Sequence, residues 1–374
     1  MRRIFVLTFL CLFLNTFFVV GQDATKIQQA VEKGVAFLRT AQGENGGWSA
    51  SPRSGAGPSM IILAGLLDSG VKPDDPMVEK GLAFLKGSIR EDGGVYTKDG
   101  FFQNYETCCA VMCLSKANDA IKKAKNLDKG PYDELLANAQ KYLLKQQYTE
   151  ERDVKPEDAN YGGVGYGGTT RPDLSNTQFF LDALKATGKG ADDPAIQKAL
   201  VFVSRCQNLE SEHNTMPFVA SNTKNLDGGF IYVNQPGASR METAEESLRS
   251  YGAMTYAGLK SMIYAGLTKD DKRVKAAYDW ISKHYSVKEH PGRGANGLFY
   301  YYHTMSKSLD VLQLLEITDT SGNKHAWKAE LSEELLSKQK ENGSWVNDAS
   351  RQWMENDPNL VTGFVLLVLA YCKN

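Results

Sequence analysis

The sequence predicts an all-α fold, an (α/α)6 barrel made of six helical hairpins. One stretch occurs twice with the same spacing: Lys33–Leu38 runs to Gly46-Gly47-Trp48, and Lys80–Leu85 runs to Gly93-Gly94-Val95. Weaker copies follow along the chain and bring the number of repeats to six. Self-similarity at a period of about 47 residues is typical of stacked helical hairpins. An even number of hairpins can close into a ring, which removes the exposed end faces of an open array.

The first helix of each hairpin is predicted to be amphipathic. In the first copy, apolar residues recur at the i, i+3 and i+4 spacing of a half-buried helix, namely Ile27, Ala30, Val31, Val35 and Leu38. Four of these helices end at a glutamine that is followed by a glycine turn, at Gln42, Gln147, Gln207 and Gln339. The six predicted helices cover 25–42, 77–89, 132–147, 194–207, 271–285 and 325–339.

The second helix of each hairpin is apolar nearly all round and is therefore predicted to be buried. A serine or threonine stands near the start of each, at Ser59, Thr107, Thr177, Thr255, Thr304 and Thr362. The apolar bodies cover 61–67, 108–114, 179–184, 256–263, 305–315 and 364–370. We expect these helices to form an inner ring inside the amphipathic ones. The longer connections are predicted loops, which often carry function, at 119–131, 148–174, 208–226 and 232–249.

Residues 1–21 are predicted to be a signal peptide, and residues 22–374 a single toroid domain. Arg2-Arg3 precede an apolar run over 4–20, and a small residue follows it. The alternative is an N-terminal membrane anchor, but the run barely reaches spanning length and contains Asn15. We therefore expect a secreted or periplasmic protein with no stable transmembrane segment after cleavage.

Charge and cysteine content give little reason to expect nucleic acid, an anionic membrane surface or a disulfide framework. The formal net charge is −1, and loss of the two signal-peptide arginines makes it −3. Five cysteines would remain, an odd number at irregular spacing. Cys109 and Cys113 are i, i+4 neighbours, which fits either a metal pair or two small buried residues.

The repeat units at Gln42–Trp48 and Gln339–Trp345 resemble the QW motifs of the prenyltransferase and squalene-oxidase repeat family. This family includes squalene and terpene cyclases and the β subunits of protein prenyltransferases. The resemblance covers nearly all of the mature chain, and the segments 171–177, 250–258 and 298–304 are similar to secreted bacterial members. It implies an α/α toroid with QW-type repeats and chemistry on isoprenoids. It implies less about the reaction, because one fold hosts many functions.

The catalytic motifs that the resemblance implies are missing from the sequence. Cyclases of the squalene–hopene kind protonate an alkene with a DxDD acid. The Asp pairs at 74–75, 192–193 and 270–271 lack an Asp two residues earlier, and such acids are typical of helix starts. At the zinc positions of protein prenyltransferases only His303 could bind metal, whereas zinc needs at least three protein ligands. The thioester run Cys-Gly-Glu-Gln is also absent. We predict no metal and no cofactor.

Two polar residues near the starts of inner helices are predicted acid–base residues, Glu106 and His303. Polar groups on buried helices must be paired or face a cavity, and histidine can gain or lose a proton near neutral pH. His303 could equally be a hydrogen-bonded core residue. The predicted cavity has its rim where the inner helices begin. At this rim, the acidic residues Glu242, Glu245 and Glu246 fit either a carboxylate over the cavity or the start of a helix.

The same rim is rich in aromatic residues. An aromatic-walled pocket with a few polar groups suits an apolar or polycyclic ligand. The predicted ligand contacts are Tyr105, Asn176, Tyr251, Tyr256, Tyr301 and Tyr302. The alternative is that these tyrosines pack in the core. Arg171 with Asp173 fits either an ion pair at the rim or a ligand contact.

Three functions therefore stay open. The first is a secreted, terpene-cyclase-like barrel that acts on or holds an isoprenoid or other apolar ligand, with Glu106 or His303 as acid or base. The second is a non-catalytic module that binds an apolar molecule, a glycan or a protein partner. The third, by analogy with other (α/α)6 barrels, is a glycan-active enzyme with paired carboxylates.

Overall fold

The structure, a computed structural model, describes residues 24–49, 55–217, 219, 226–235, 243 and 245–373. The predicted signal peptide lies outside these residues, as do Glu242 and parts of the two loops predicted at 208–226 and 232–249. Within the described ranges, no helix combines the length and the apolar character needed to cross a membrane. Secretion and signal cleavage therefore stay predictions.

Twelve α-helices dominate the described part of the chain, and the all-α prediction is confirmed. They are α1 (24–41), α2 (Gly57–Asp68), α3 (Pro76–Lys86), α4 (Gln103–Lys125), α5 (Asp133–Gln146), α6 (Leu174–Ala186), α7 (Pro194–Arg205), α8 (Gly252–Tyr264), α9 (Lys272–His284), α10 (Leu298–Val311), α11 (Trp327–Lys338) and α12 (Pro358–Lys373). The described strands are a short antiparallel pair, β1 (Ile317–Thr318) and β2 (Lys324–His325). No pattern in the sequence predicted this pair of strands.

The even-numbered helices contact one another in a closed cycle. Helix α2 packs against α4, α4 against α6, α6 against α8, α8 against α10, α10 against α12, and α12 against α2. Most residues of these six helices are buried, whereas the odd-numbered helices bury one side only. The difference follows from sequence, because the even-numbered helices are apolar nearly all round.

Five turn glycines each place a turn against the next odd-numbered helix. All five have φ between 82° and 92°, which favours glycine, and each faces a backbone carbonyl of the next odd-numbered helix. A Cβ atom would stand only 1.8–2.9 Å from that carbonyl oxygen. The contacts are Gly46 with Lys80, Gly93 with Asn138, Gly162 with Lys198, Gly228 with Ala276, and Gly343 with Lys33. The last contact links the final hairpin to the first.

Four glutamines at helix ends reinforce the same junctions. Each Nε2 donates to the carbonyl of its own turn glycine and to a carbonyl in the next odd-numbered helix, at 2.8–2.9 Å. These residues are Gln42, Gln147, Gln207 and Gln339. Each of these hydrogen bonds contributes about 0.5–1.5 kcal/mol net to stability. Because each glutamine joins two backbone segments, we interpret these glutamines as structural residues.

The serine and threonine series ties the inner helices to the turns. For five of the six even-numbered helices, the hydroxyl oxygen accepts the backbone N–H of the residue after the turn, at 2.9–3.2 Å. These five residues are Ser59, Thr107, Thr177, Thr255 and Thr362. Thr304 differs, because its hydroxyl donates within α10 to the carbonyl of Tyr300.

One predicted loop is partly helical. Helix α4 continues to Lys125, whereas residues 119–131 were predicted to be a loop. Asn126 then ends the helix in the left-handed conformation, and its N–H bonds to the carbonyl of Lys122. Lysines in the last turn favour this extension because they interact well with the negative end of the helix dipole.

Candidate functional site

Half-buried tyrosines meet where the inner helices begin. We define the tyrosine cluster as Tyr105 on α4, Tyr166 in the loop before α6, Tyr232 in the loop before α8, and Tyr300 on α10. The rings of Tyr105 and Tyr166 have centroids 6.3 Å apart. Phe179 of α6 lies between two members of the cluster, 5.3 Å from Tyr105 and 6.4 Å from Tyr300. The cluster therefore crosses the inner ring.

The phenol groups of the cluster stay protonated at neutral pH. Burial is the largest cause in each case and raises the pKa of Tyr166 to about 12. It also raises the pKa values of Tyr105, Tyr232 and Tyr300 above the ordinary value of a phenol. Neutral rings that keep some exposed surface offer apolar faces and a few hydroxyl groups, which suits a largely apolar ligand.

Asp173 lies beside the tyrosine cluster and begins α6. Its carboxylate accepts the backbone N–H of Asn176 at 2.8 Å and the side-chain amide of Asn176 at 2.7 Å. Burial raises the pKa of Asp173 to about 6, although the hydrogen bonds of Asn176 and Tyr232 oppose the rise. The predicted contact Asn176 is thus at the site, where it holds a carboxylate.

A buried ionic network lies deeper between the inner helices. We define the lysine–aspartate network as Asp182 on α6, Lys260 on α8 and Lys307 on α10. The Lys260 ammonium donates to Asp182 at 2.7 Å and to Gln178 at 2.6 Å, and Lys307 lies 2.9 Å from Asp182. The side chains of Asp182 and Lys260 are each 1% exposed, and that of Lys307 is 15% exposed.

In this network the opposite charges stabilise the ionised forms of one another. Burial alone would raise the pKa of Asp182, but Lys260 and Lys307 lower it to about 2. Burial lowers the pKa of Lys260 to about 8, and Asp182 limits the fall. At pH 7 one carboxylate therefore faces two ammonium groups in the interior.

The two predicted acid–base residues lie in different surroundings. Glu106 is fully buried and accepts hydrogen bonds from the backbone N–H of Thr97 at 2.8 Å, the hydroxyl of Thr97 at 2.8 Å and the N–H of Ala56 at 3.2 Å. Its carboxylate thereby joins two loops. His303 packs on Phe364, with ring centroids 5.5 Å apart. Burial, followed by Lys307 and Lys260, lowers the pKa of His303 to about 3, so the imidazole is neutral at pH 7.

The structure brings only some of the predicted ligand contacts together. Tyr105 and Asn176 belong to the site, whereas the other four pack between α8, α10 and residues 286–290. The hydroxyls of Tyr301 and Tyr302 donate to the carbonyls of Ser286 and Val287, each at 2.7 Å. Tyr256 lies against Tyr301, with ring centroids 5.9 Å apart, and Tyr251 packs on His290. For these four the role in ligand binding stays a prediction.

The loop before α12 borders the tyrosine cluster. Its Trp353 is 45% exposed and has its ring centroid 6.4 Å from that of Tyr300. Below it, fully buried Glu355 accepts the backbone N–H of Tyr300 at 2.8 Å and the amide of Asn347 at 2.7 Å. Glu355 therefore caps α10 and attaches the loop to the helix that carries Tyr300.

Glu355 is expected to make stability fall as the pH rises toward 7. Burial raises its pKa to about 7, against an ordinary value near 4.3, so the folded state binds the proton more tightly. Its contribution is full below about pH 4.3 and is lost as the pH rises through 7, about 4 kcal/mol over the range. In urea unfolding from pH 4.5 to 7.5, Glu355→Gln should remove this loss. Exposed Glu333→Gln is the control, and equal pH profiles for all three proteins would contradict the assignment.

The described residues show no metal centre of three or more His, Cys, Asp or Glu side chains. Cys108, Cys109, Cys113 and Cys206 are buried and not disulfide-bonded, and burial raises the pKa values of their thiols. Protonated thiols are poor metal ligands. For Cys109 and Cys113 the surroundings favour the second of the two predicted interpretations, small buried residues.

A groove of about 530 Å³ lies on the outer side of the ring, away from the predicted site residues. It runs between α1 and the loop that leads to α3. Its lining includes Glu32, Arg39, Asp74 and Asp75. Arg39 and Asp75 are paired with each other at 2.8 Å.

Comparison with known proteins finds similarity only among solved structures. No protein-family profile and no curated protein sequence matches the chain. The apo type II terpene cyclase MstE from Scytonema is 14% identical, with a TM-score of 0.49 over 92% of this chain and 98% of that one. A variant of that cyclase in complex with geranylgeranyl dihydroxybenzoate is 13% identical, with a TM-score of 0.37 over 94% and 99%. A protein from Actinoplanes is 13% identical, with a TM-score of 0.39 over 93% and 100%. TM-scores below 0.5 carry no assignment of function.

The lysine–aspartate network was not predicted, although the sequence contains a signal for it. Asp182, Lys260 and Lys307 each lie inside one of the apolar bodies predicted at 179–184, 256–263 and 305–315. A charged residue in a buried helix must be paired, because an isolated buried charge is very costly. One acid and two lysines in three such helices therefore predict a buried ionic cluster.

Proposed function

We propose that this chain is a secreted or periplasmic (α/α)6 barrel with QW-type repeats that holds an isoprenoid or other apolar small molecule at the tyrosine cluster. The observation that carries this proposal is the group of half-buried, neutral aromatic rings at the starts of α4 and α10. Apolar faces with a few hydroxyl groups are the typical lining of sites for apolar ligands. The closed cycle of helix contacts and the turn glycines support the barrel.

The geometry favours holding a ligand over chemical turnover. Protonation of an alkene needs a strong acid with an available proton. The Glu106 carboxylate accepts hydrogen bonds from two loops, that of Asp173 caps α6, and that of Asp182 is paired with two lysines. His303 is neutral at pH 7 and can only accept a proton. Glu106 and His303 stay our predicted acid and base for a catalytic version of this function.

The proposal is tested by native mass spectrometry and lipid extraction of mature protein from its own secreted or periplasmic fraction. A bound isoprenoid or other apolar molecule supports the proposal. Protein that carries only other proteins would contradict it and favour a protein-binding module. A bound molecule whose mass changes during incubation would show turnover, and Glu106→Gln and His303→Gln would then test the two predicted residues.

Replacing Tyr105 by alanine is expected to weaken the binding of the apolar molecule at least tenfold and thereby to lower the ligand content of the purified protein. The change removes a ring that contacts both Tyr166 and Phe179. The loss of an aromatic contact of this kind costs about 1.4 kcal/mol or more of binding free energy, and 1.4 kcal/mol corresponds to a factor of ten. Tyr278→Ala on outer helix α9 is the control, since it removes the same ring elsewhere. Equal ligand content in both variants would contradict the site.

A further inference from the structure

The lysine–aspartate network holds more positive than negative charge. Lys260 and Lys307 both pair with the single carboxylate of Asp182. Among the described residues, no other carboxylate forms an ion pair with Lys307. Lys116 pairs with Asp68 at 2.7 Å, and Asp310 is half-buried one turn beyond Lys307 on α10. Burying an uncompensated charge is costly, so a further negative group here would be stabilised.

Lys307 is the ammonium group with unused donor capacity. An ammonium has three N–H donors. Lys260 uses its donors on Gln178 and Asp182, two good acceptors. Lys307 has Asp182 and, at 3.7 Å, the sulfur of Met112, which is a weak acceptor. Its side chain also keeps 15% of its surface exposed, so a ligand atom can reach it.

His303 adds a second polar group to the same place. Its side chain is 4% exposed, and its Nδ1 has no hydrogen-bond partner among the described residues. The imidazole lies one turn before Lys307 on α10, and the charges of Lys307, Lys260 and Asp182 all affect its pKa. A neutral imidazole can donate one N–H to an acceptor such as a carboxylate oxygen.

Lys307 also lies in the central space that the inner helices enclose. In the cycle of inner helices, α10 and α4 are separated by two helices on each side. The contact between Lys307 and Met112 therefore bridges opposite sides of the ring. Tyr300 of the tyrosine cluster is two turns before Lys307 on the same helix, and its hydroxyl accepts from Gln178 at 3.3 Å. The network and the tyrosine cluster are thus successive layers.

We propose that Lys307, with His303 beside it, binds a carboxylate group inside the ring. Two sources supply this chemistry: the acid end of the apolar ligand, in which case the inference rests on the function proposed above, or a free small carboxylate. In both cases the carboxylate accepts from Lys307 and brings the charge of the network to zero. Specificity would then favour an isoprenoid acid over the matching alcohol.

The test compares farnesoic acid, farnesol and acetate as probes for the full mature chain at pH 7, by isothermal titration calorimetry. If the ligand supplies the carboxylate, the acid should bind at least tenfold more tightly than the alcohol. Lys307→Met should reduce this ratio to about one, and Lys307→Arg should retain it. Lys116→Met, which removes an ammonium paired with Asp68, is the matched control and should leave the ratio unchanged.

The outcomes separate this inference from the proposed function. Acetate binding that Lys307→Met abolishes, with acid and alcohol equal, supports a free carboxylate as the source. Acid and alcohol bound equally, without acetate binding, overturns the carboxylate site and leaves the apolar site standing. Failure of all three probes to bind overturns both proposals. Folding of the variants is checked by thermal unfolding, and Lys307→Met is expected to fold because it removes the excess charge.

Discussion

Replacing Asp182 by asparagine is expected to lower the free energy of unfolding by about 3–5 kcal/mol at pH 7. The change removes the only carboxylate that pairs with Lys260 and Lys307 among the described residues. Removing one partner of a buried ion pair leaves an uncompensated charge, which is far more costly than losing an exposed pair. Urea unfolding followed by circular dichroism measures the difference.

The control for Asp182→Asn is Asp68→Asn. It makes the same chemical change, but the pair of Asp68 with Lys116 is partly exposed, with 20% and 34% of the two side chains accessible. Its expected cost is about 1 kcal/mol or less. The double variant Asp182→Asn with Lys260→Met should recover part of the loss, because it also removes a buried charge. Equal costs for Asp182→Asn and Asp68→Asn would contradict a charged interior.

The pH dependence gives an independent check on the same network. The pKa of Lys260 is lowered to about 8, below its unfolded value near 10.4, so the folded state binds its proton more weakly. Between these two pH values the unfolded state holds more protons, and the contribution of Lys260 to stability therefore increases as the pH rises. The variant Lys260→Met should lack this increase.

Replacing Gly343 by alanine is expected to destabilise the protein by about 2–5 kcal/mol and to loosen the contact between the first and last hairpins. The φ of Gly343 is 87°, and a Cβ there would lie 2.4 Å from the carbonyl oxygen of Lys33. The cost therefore combines left-handed backbone strain, about 1–2 kcal/mol, with overpacking, about 1–3 kcal/mol. Thermal unfolding measures the total.

Gly322 provides a matched control for Gly343. Its φ is 85°, but a Cβ would meet nothing within 4 Å. Gly322→Ala should therefore show the backbone strain alone, about 1–2 kcal/mol. Hydrogen exchange should locate the effect of Gly343→Ala in α1 and α12. If the two alanine variants lose equal stability, the close junction at Lys33 contributes nothing.

Local sequence patterns predicted the helices because the interactions that form a helix act between residues that are close in sequence. The six amphipathic helices lie within three residues of their predicted bounds, since apolar spacing, glutamines and turn glycines act within one repeat. The exception at α4 follows from the same physics, because its lysine-rich extension is polar like a loop yet forms a helix well. The strand pair at 317–325 had no alternating pattern long enough to predict it.

The candidate site could be predicted only in part from the sequence. Tyr105 and Asn176 were predicted ligand contacts because they stand at the start of apolar helices, and this position along the repeat predicts a place at the rim. Position does not fix direction, however, in a helix that is apolar all round. Tyr302 precedes Thr304 by two residues, as Tyr105 precedes Thr107, yet its hydroxyl donates to the backbone carbonyl of Val287.

The sequence by itself determined that this chain forms helical hairpins, which helices are buried and which glycines turn the chain. Only the tertiary structure decided which polar groups meet in the interior. Lys260 and Asp182 are 78 residues apart, and Lys307 and Met112 are 195 residues apart. No sequence pattern within one repeat connects such residues, because they meet only after the helices have packed around one another. A charge buried in one helix then depends on a partner that another helix supplies.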